Sequence, residues 1–193
     1  MQFDAQRTLA SIGFLVKKTD ADLYSIMKML YLADKEHLGL FGRTITGDKY
    51  VAMQKGPVPD RAYEMCKFLR GDRDFFDPMP TARDFMRLKP APTHEFKLLA
   101  DPDVDQLSQS DLQCLEFAAG IFLEKREWKS VADASHDEAW KEAWAEAKSR
   151  GAGSIAMRFT SIAATLPNAA VVIEHLNDPH PGQASPSRAQ IES

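Results

Sequence analysis

The chain has 193 residues, of which 44% are hydrophobic and 27% are charged, and its formal net charge is −4. This length and composition suit a single globular domain with its own core, and they argue against global disorder and against a core that depends on disulfides or a structural metal. The acidic balance argues against nucleic-acid binding, which needs clustered Lys and Arg, and favours a basic protein partner.

Two cysteines and the character of the apolar segments bear on the compartment. Cys66 and Cys114 lie in separate helical patterns with no second ligand at metal spacing, so reduced, buried thiols are expected. The N-terminus has no basic region followed by an apolar run, and no apolar segment is long enough to span a bilayer. We expect a cytoplasmic protein with no membrane partner and no cofactor.

The first two predicted helices carry most of the early apolar pattern. The first covers residues 4–18, and Thr19 with Asp22 predicts a capping box for the second. At about 100° per residue the second helix has an apolar face that ends in an acid and an imidazole; this face consists of Leu23, Ile26, Met27, Leu30, Asp34 and His37. The opposite face, predicted to lie in solvent, consists of Ser25, Lys28, Lys35 and Glu36. Gly39 is predicted to end this helix, and Gly42 reinforces the break.

A change of period after this helix indicates a small β element. Residues 44–46 and 50–53 are β-prone, with Gly47 and Asp48 in a turn or bulge between them, and a hairpin and a single edge strand both fit. The run GPVP at residues 56–59 predicts a rigid turn, because its two prolines restrict the backbone. A helix is predicted to begin at Pro59 or Asp60 and to end at Gly71; its apolar face consists of Ala62, Met65, Cys66 and Leu69.

The second half of the chain predicts further helices and one more hairpin. Residues 72–92 read as an ordered loop with Phe75 and Phe76 as apolar contacts, and within and after it residues 85–88 and 95–99 are predicted to pair. Helix caps are predicted at Ser108 with Asp111, at Ser130 with Asp133 and at Ser135 with Glu138. Residues 155–166 predict a helix, Pro167 begins another that runs to Leu176, and residues 178–193 predict a disordered tail. The prediction is one mainly α (α+β) domain over residues 1–177, with one or two small β-hairpins.

The polar residues on the apolar face admit two interpretations. Asp34 and His37 are one helical turn apart, as an acid–base pair or half of a metal site would be. A buried Asp that faces a Gly- and Pro-rich loop more often accepts hydrogen bonds from the loop's amides, and we favour this structural role. Asp48 next to Gly47 is typical of a plain turn. An enzyme or nucleotide-binding protein that uses Asp34, His37 and Asp48 stays open as an alternative.

The C-terminal aromatic residues are interpreted mainly as core. Trp140 and Trp144 share one helix face, although with Trp128 they can also form a protein-contact hot spot. His136 is predicted to make local hydrogen bonds.

Several runs match a known family in order and spacing. They are LYLADKEH (residues 30–37), GRTITGDKYVA (42–52), GPVP (56–59) and the pair Ser135-His136 followed by Trp140. With these runs the chain resembles the Panacea, or SocA-type, antitoxin domain family, from Leu23 to about Trp144.

The resemblance implies a mostly helical domain that is not an enzyme and serves as the antitoxin of a bacterial or phage-borne, type II-like toxin-antitoxin system. It implies neutralisation of a cognate toxin, encoded by the adjacent gene, through direct protein contact; a proteolytic adaptor that delivers the toxin to an AAA+ protease is the alternative. The motif residues are then expected to have structural or partner-binding roles: Tyr31, Asp34, His37, Gly47, Asp48, Tyr50, Gly56, Pro57, Val58, Ser135, His136 and Trp140.

Overall fold

The computed structural model describes residues 2–77 and 79–178. The helices are α1 (Ala5–Thr19), α2 (Leu23–Phe41), α3 (Asp60–Arg70), α4 (Ala82–Phe85), α5 (Gln109–Leu123), α6 (Trp128–Ser135), α7 (Glu138–Ser149), α8 (Phe159–Ala164) and α9 (Ala169–Asn177). The strands are β1 (Tyr50–Met53), β2 (Gly56–Pro59), β3 (Met86–Leu88), β4 (Phe96–Leu98) and β5 (Ser154–Met157). The predicted mainly α class with small β elements is confirmed. The predicted tail at residues 178–193 lies outside the described residues, apart from Asp178.

Helix α2 lies at the centre of the fold, packed against α5, α6 and strand β2. Asp22 caps its N-terminus by accepting a hydrogen bond from Ser25 N, and Gly42, with φ of 70°, ends it. The prediction that Thr19 is the cap and Gly39 the end was therefore wrong, because α1 extends to Thr19 and α2 continues to Phe41.

The predicted solvent face of α2 was also wrong in part. Ser25 and Lys28 are buried, whereas Lys35 and Glu36 are half-buried. The reason is that α2 has neighbours on more than one side, so its burial is not confined to one stripe. The six residues of the predicted apolar face are all buried as expected.

The principal sheet has the strand order β2-β1-β5, and both pairings are antiparallel. Strand β1 is therefore the central strand of this sheet, paired with β2 from Tyr50↔Pro59 to Met53↔Gly56. Three expectations were wrong here: residues 44–46 form a loop, residues 56–59 form a strand rather than a turn alone, and residues 154–157 form β5 where a helix was predicted. A short apolar run does not reveal by its period whether it is a strand or a helix.

Most of the remaining helices and strands agree with the prediction from the sequence. Strands β3 and β4 pair in the predicted second hairpin, and α5 has the predicted capping box of Ser108 and Asp111. Helix α3 begins at Asp60 and ends at Gly71, whose φ is 96°.

A few smaller differences from the prediction concern helix caps and one loop. The caps of α6 and α7 are Glu127 and Asp137 instead of Ser130 and Ser135. Of the two phenylalanines expected in the loop after α3, Phe76 is buried and Phe75 is exposed.

Three further observations concern the described residues. Cys66 and Cys114 are both free and buried, as predicted, and burial raises the pKa of each thiol. Within the described residues no helix combines the length and apolar character needed to cross a membrane. The same part of the chain holds no group of three or more His, Cys, Asp or Glu side chains arranged to bind a metal.

Candidate functional site

Asp34 is fully buried in α2 and fixes the following loop, residues 44–50, which we call the Asp34 loop. Its Oδ1 accepts hydrogen bonds from Ile45 N (2.7 Å) and Thr46 N (3.1 Å), and its Oδ2 accepts from Thr46 Oγ1 (2.5 Å) and Tyr50 Oη (2.6 Å). Burial raises the pKa of Asp34, and these four donors oppose that rise by stabilising the carboxylate. The predicted bonds from loop amides to Asp34 are present.

Gly47 joins the Asp34 loop to the N-terminal segment. Its φ is 66°, and a Cβ at this position would lie 1.9 Å from the carbonyl oxygen of Gln2. The amide of Asp4 donates to Thr46 O at 2.9 Å on the same side. A side chain cannot be accommodated at residue 47 without displacing backbone, so the turn requires glycine.

Asp48 has more than the turn role that the sequence predicts. Its carboxylate is buried and accepts hydrogen bonds from Lys49 N, Arg61 N and Ala62 N at 2.8 to 3.0 Å. Two of these amides belong to the first turn of α3, whose own N-cap, Pro59, supplies no side-chain cap. Asp48 therefore caps α3 from a distant position in the chain. Burial raises its pKa to about 6 although the three amides oppose the shift.

His37 belongs to a different cluster. Its Nδ1 lies 2.8 Å from Arg43 O, and its Nε2 lies 3.1 Å from Ser110 Oγ and 3.0 Å from Asp111 Oδ1. Burial lowers the pKa of this imidazole. Because a carbonyl can only accept, Nδ1 donates to Arg43 O; Nε2 accepts from Ser110 Oγ when the ring is neutral and donates to Asp111 Oδ1 when the ring is protonated.

Tyr31 and the start of α7 form a further buried contact. Asp137 Oδ2 accepts hydrogen bonds from Tyr31 Oη (2.7 Å) and Lys35 Nζ (2.6 Å), while Asp137 Oδ1 caps α7 at Trp140 N. Tyr31 also packs edge-on against Tyr50, with ring centroids 5.1 Å apart. Asp137 thus connects α2 to α7. Ser135, one of the motif residues, is buried and donates only within α6, to Ala132 O.

Lys28, Gly56, Pro57 and His136 form the Lys28 cluster. Lys28 is 1% exposed, and its Nζ donates to Pro57 O at 2.6 Å. A Cβ on Gly56 would lie 2.9 Å from Lys28 Nζ and 2.8 Å from His136 Nε2. His136 Nε2 is buried and has no hydrogen-bond partner among the residues that the structure describes, so the expectation of local hydrogen bonding is wrong for this atom. Burial lowers the pKa of Lys28 to about 7.

Aromatic side chains surround the Lys28 cluster. His136 stacks on Trp140, with ring centroids 4.1 Å apart, and Trp140 Nε1 donates to Met53 O. On the other side of Lys28, its Nζ lies 5.1 Å from the centre of the Tyr24 ring, and Trp128 meets the same ring edge-on at 5.4 Å. Trp128 is 55% exposed, so this aromatic group reaches the surface.

The structure brings some predicted site residues together and separates others. Asp34, Tyr50 and Tyr31 are in contact, and Gly56, Pro57, His136 and Trp140 lie close together; Val58 pairs with Val51 in the sheet. Asp34, His37 and Asp48, which the enzyme alternative requires in one unit, bind separate sets of partners.

Sequence reasoning missed three of the residues that organise these contacts. Lys28 was assigned to solvent, Asp111 was identified only as a helix cap, and Asp137 was not identified. A signal for Asp137 existed, because an Asp immediately before a helical run that starts with Glu is a strong N-cap candidate.

Comparison with known proteins now gives the family. The family model described as "Antitoxin SocA-like, Panacea domain" matches residues 26–141, which is more than half of the chain. No curated protein and no solved structure matches the chain. The matched segment includes Asp34, the Asp34 loop, Asp48 and every member of the Lys28 cluster. The chain belongs to the family of SocA-like antitoxins with a Panacea domain.

Proposed function

We propose that the protein is a non-enzymatic antitoxin that neutralises a cognate protein toxin by binding it directly. The observation that carries this proposal is the family match over residues 26–141. The toxin is taken to be the product of an adjacent gene, as is expected for a toxin-antitoxin pair.

The contacts of the buried acids support a binding protein over an enzyme. A general acid or base needs a free position within hydrogen-bond reach of a substrate. Both oxygens of Asp34 and both oxygens of Asp48 already accept hydrogen bonds from the protein itself, and both nitrogens of His37 lie within reach of protein oxygens. Hydrogen bonds within the protein therefore already occupy the groups that catalysis would need.

Co-expression with the product of the adjacent gene tests the proposal. We expect that product alone to arrest growth, that co-expression of this chain restores growth, and that the two purified proteins form a complex. A neighbour that is not toxic, or a toxicity that this chain leaves unchanged, would overturn the proposal.

The same experiment separates direct neutralisation from proteolytic delivery. With direct binding, the purified chain inhibits the purified toxin without a protease, and the half-life of the toxin in cells is unchanged. If neutralisation requires an AAA+ protease and shortens the half-life of the toxin, the adaptor alternative replaces direct inhibition.

A further inference from the structure

An exposed surface lies beside the Lys28 cluster, and we call it the Trp128 face. It consists of Tyr24, Lys55 and Trp128. The Tyr24 hydroxyl donates to the backbone oxygen of Lys55 at 2.6 Å, and Trp128 packs edge-on against the Tyr24 ring. The aromatic rings of α2 and α6 are therefore held together before any partner arrives.

Two lysine amines near the Tyr24 ring have no carboxylate partner in the described part of the chain. Lys28 Nζ and Lys55 Nζ lie 5.1 and 5.8 Å from the centre of that ring. Neither ammonium makes an ion pair within the described part of the chain, and Lys28 Nζ uses only one of its three N–H groups, on Pro57 O.

Two acids on and after α6 are paired with lysines, Asp133 with Lys129 and Asp137 with Lys35. Asp22, two residues before Tyr24, caps α2 and keeps its negative charge. The formal charges of residues 124–127, which join α5 to α6, cancel, because they comprise Glu124, Lys125, Arg126 and Glu127. Lys55 is thus an exposed cation of the Trp128 face on a protein whose net charge is −4.

We infer that the Trp128 face is the surface that binds the toxin, and that it receives an acidic segment in which a carboxylate lies next to an apolar side chain. The carboxylate approaches Lys55, and the apolar side chain packs on Trp128. This inference rests on the proposed function. It also departs from the expectation of a basic partner, because local charge and not net charge sets complementarity at a contact.

The composition of this face fits the chemistry of binding hot spots. Tryptophan and tyrosine are enriched among residues that dominate interface energies, since they offer a large contact area with few rotatable bonds. The contact between Tyr24 and Trp128 restricts both rings in the free protein, which lowers the entropy lost on binding.

Titration of the purified chain into the purified product of the adjacent gene tests this inference. We expect Trp128→Ala to weaken binding by about tenfold or more, as the loss of a hot-spot side chain does. Lys55→Glu is expected to weaken binding by about tenfold, Lys55→Arg to retain it, and added salt to weaken binding of the wild type.

Two variants serve as matched controls. Leu40 is 53% exposed, close to the 55% of Trp128, and it lies about 24 Å along α2 from Tyr24 at the helical rise per residue. Lys97 is an exposed lysine on β4. Leu40→Ala and Lys97→Glu are expected to bind within about twofold of wild type, and all variants are first compared with wild type by melting temperature and circular dichroism.

Each other outcome overturns a defined part of the inference. If the wild type binds and Trp128→Ala with an intact fold binds equally, the surface is wrong. If Trp128→Ala weakens binding but Lys55→Glu and salt do not, the acidic partner is wrong. If the free chain is a dimer that Trp128→Ala converts to a monomer, the face belongs to a second copy. A wild type that does not bind the neighbouring product overturns the proposed function and this inference with it.

Discussion

The Asp34 loop and the Lys28 cluster both place a buried charged group of α2 against the segment that follows it, but they differ in how completely that charge is satisfied. In the Asp34 loop, both oxygens of the carboxylate accept two hydrogen bonds each. In the Lys28 cluster, counted over residues 2–77 and 79–178, the Lys28 amine has one oxygen partner, and His136 Nε2 beside Gly56 has none.

This difference separates two roles within one family domain. A saturated polar network makes a segment rigid and leaves no group for a partner, so it stabilises the fold. Buried donors that remain unpaired weaken the fold where they lie, and such groups in native proteins call for an explanation beyond stability. The proposed contact with a partner at the adjacent Trp128 face would supply that explanation.

The largest expected effect comes from removing the charge at the saturated site. Asp34→Ala leaves two loop amides and two hydroxyls without their acceptor, and we expect it to lower the free energy of unfolding by about 4 kcal/mol. Urea denaturation measures this change. Glu138→Gln, which removes an exposed pair with Lys141, is the control and should change stability by less than about 0.5 kcal/mol. A small effect of Asp34→Ala would mean that the loop is held by other contacts.

A smaller loss is expected at the remote cap of α3. Asp48→Ala removes the acceptor of Arg61 N and Ala62 N, and we expect a loss of about 2 kcal/mol in the free energy of unfolding. Hydrogen exchange should show faster exchange of backbone amides, concentrated in the first turn of α3. Asp60→Asn, at the first position of the same helix, is the matched control. Equal exchange in Asp48→Ala and wild type would contradict the capping role.

The smallest expected effect concerns the pH dependence caused by Lys28. Burial lowers its pKa from 10.5 to about 7 in the folded chain. Between these values the unfolded chain binds one proton more than the folded chain, so this group makes the free energy of unfolding rise with pH. From pH 7 to 8.5 the rise is about 1 to 2 kcal/mol, and Lys28→Met should remove it.

Lys97→Met is the control for this measurement and should follow the wild-type pH profile. If Lys28→Met and wild type have parallel profiles, Lys28 keeps its charge in the fold, and the Lys28 cluster is as well satisfied as the Asp34 loop.

The sequence predicts local features of this fold well. The apolar face of α2, the ends of α3, the hairpin of β3 and β4 and the capping box of α5 all depend on residues within a few positions of one another. The hydrogen bonds from the loop to Asp34 were also predicted, because an acid on a core face next to a Gly-rich segment has few other ways to be satisfied.

The features that the sequence did not predict depend on distant parts of the chain. Lys28 can be buried because Pro57 O accepts a hydrogen bond from its Nζ, and Asp48 caps a helix that begins twelve residues later. β5 is recognisable as a strand only through its partner β1, since its short apolar run suits a helix equally. Contacts of this kind leave no periodic signal.

The position of β5 has a consequence for how the chain folds. β1 obtains one neighbour from β2, which follows at once, but the other arrives more than 100 residues later. During synthesis the free edge of β1 therefore stays unpaired until most of the chain has emerged, and such an edge is a template for pairing with other chains. A fragment limited to the family-matched residues 26–141 lacks β5 and would keep that edge permanently. The C-terminal third thus covers this edge of β1 only in the completed chain, where it removes a template for aggregation as well as completing the sheet.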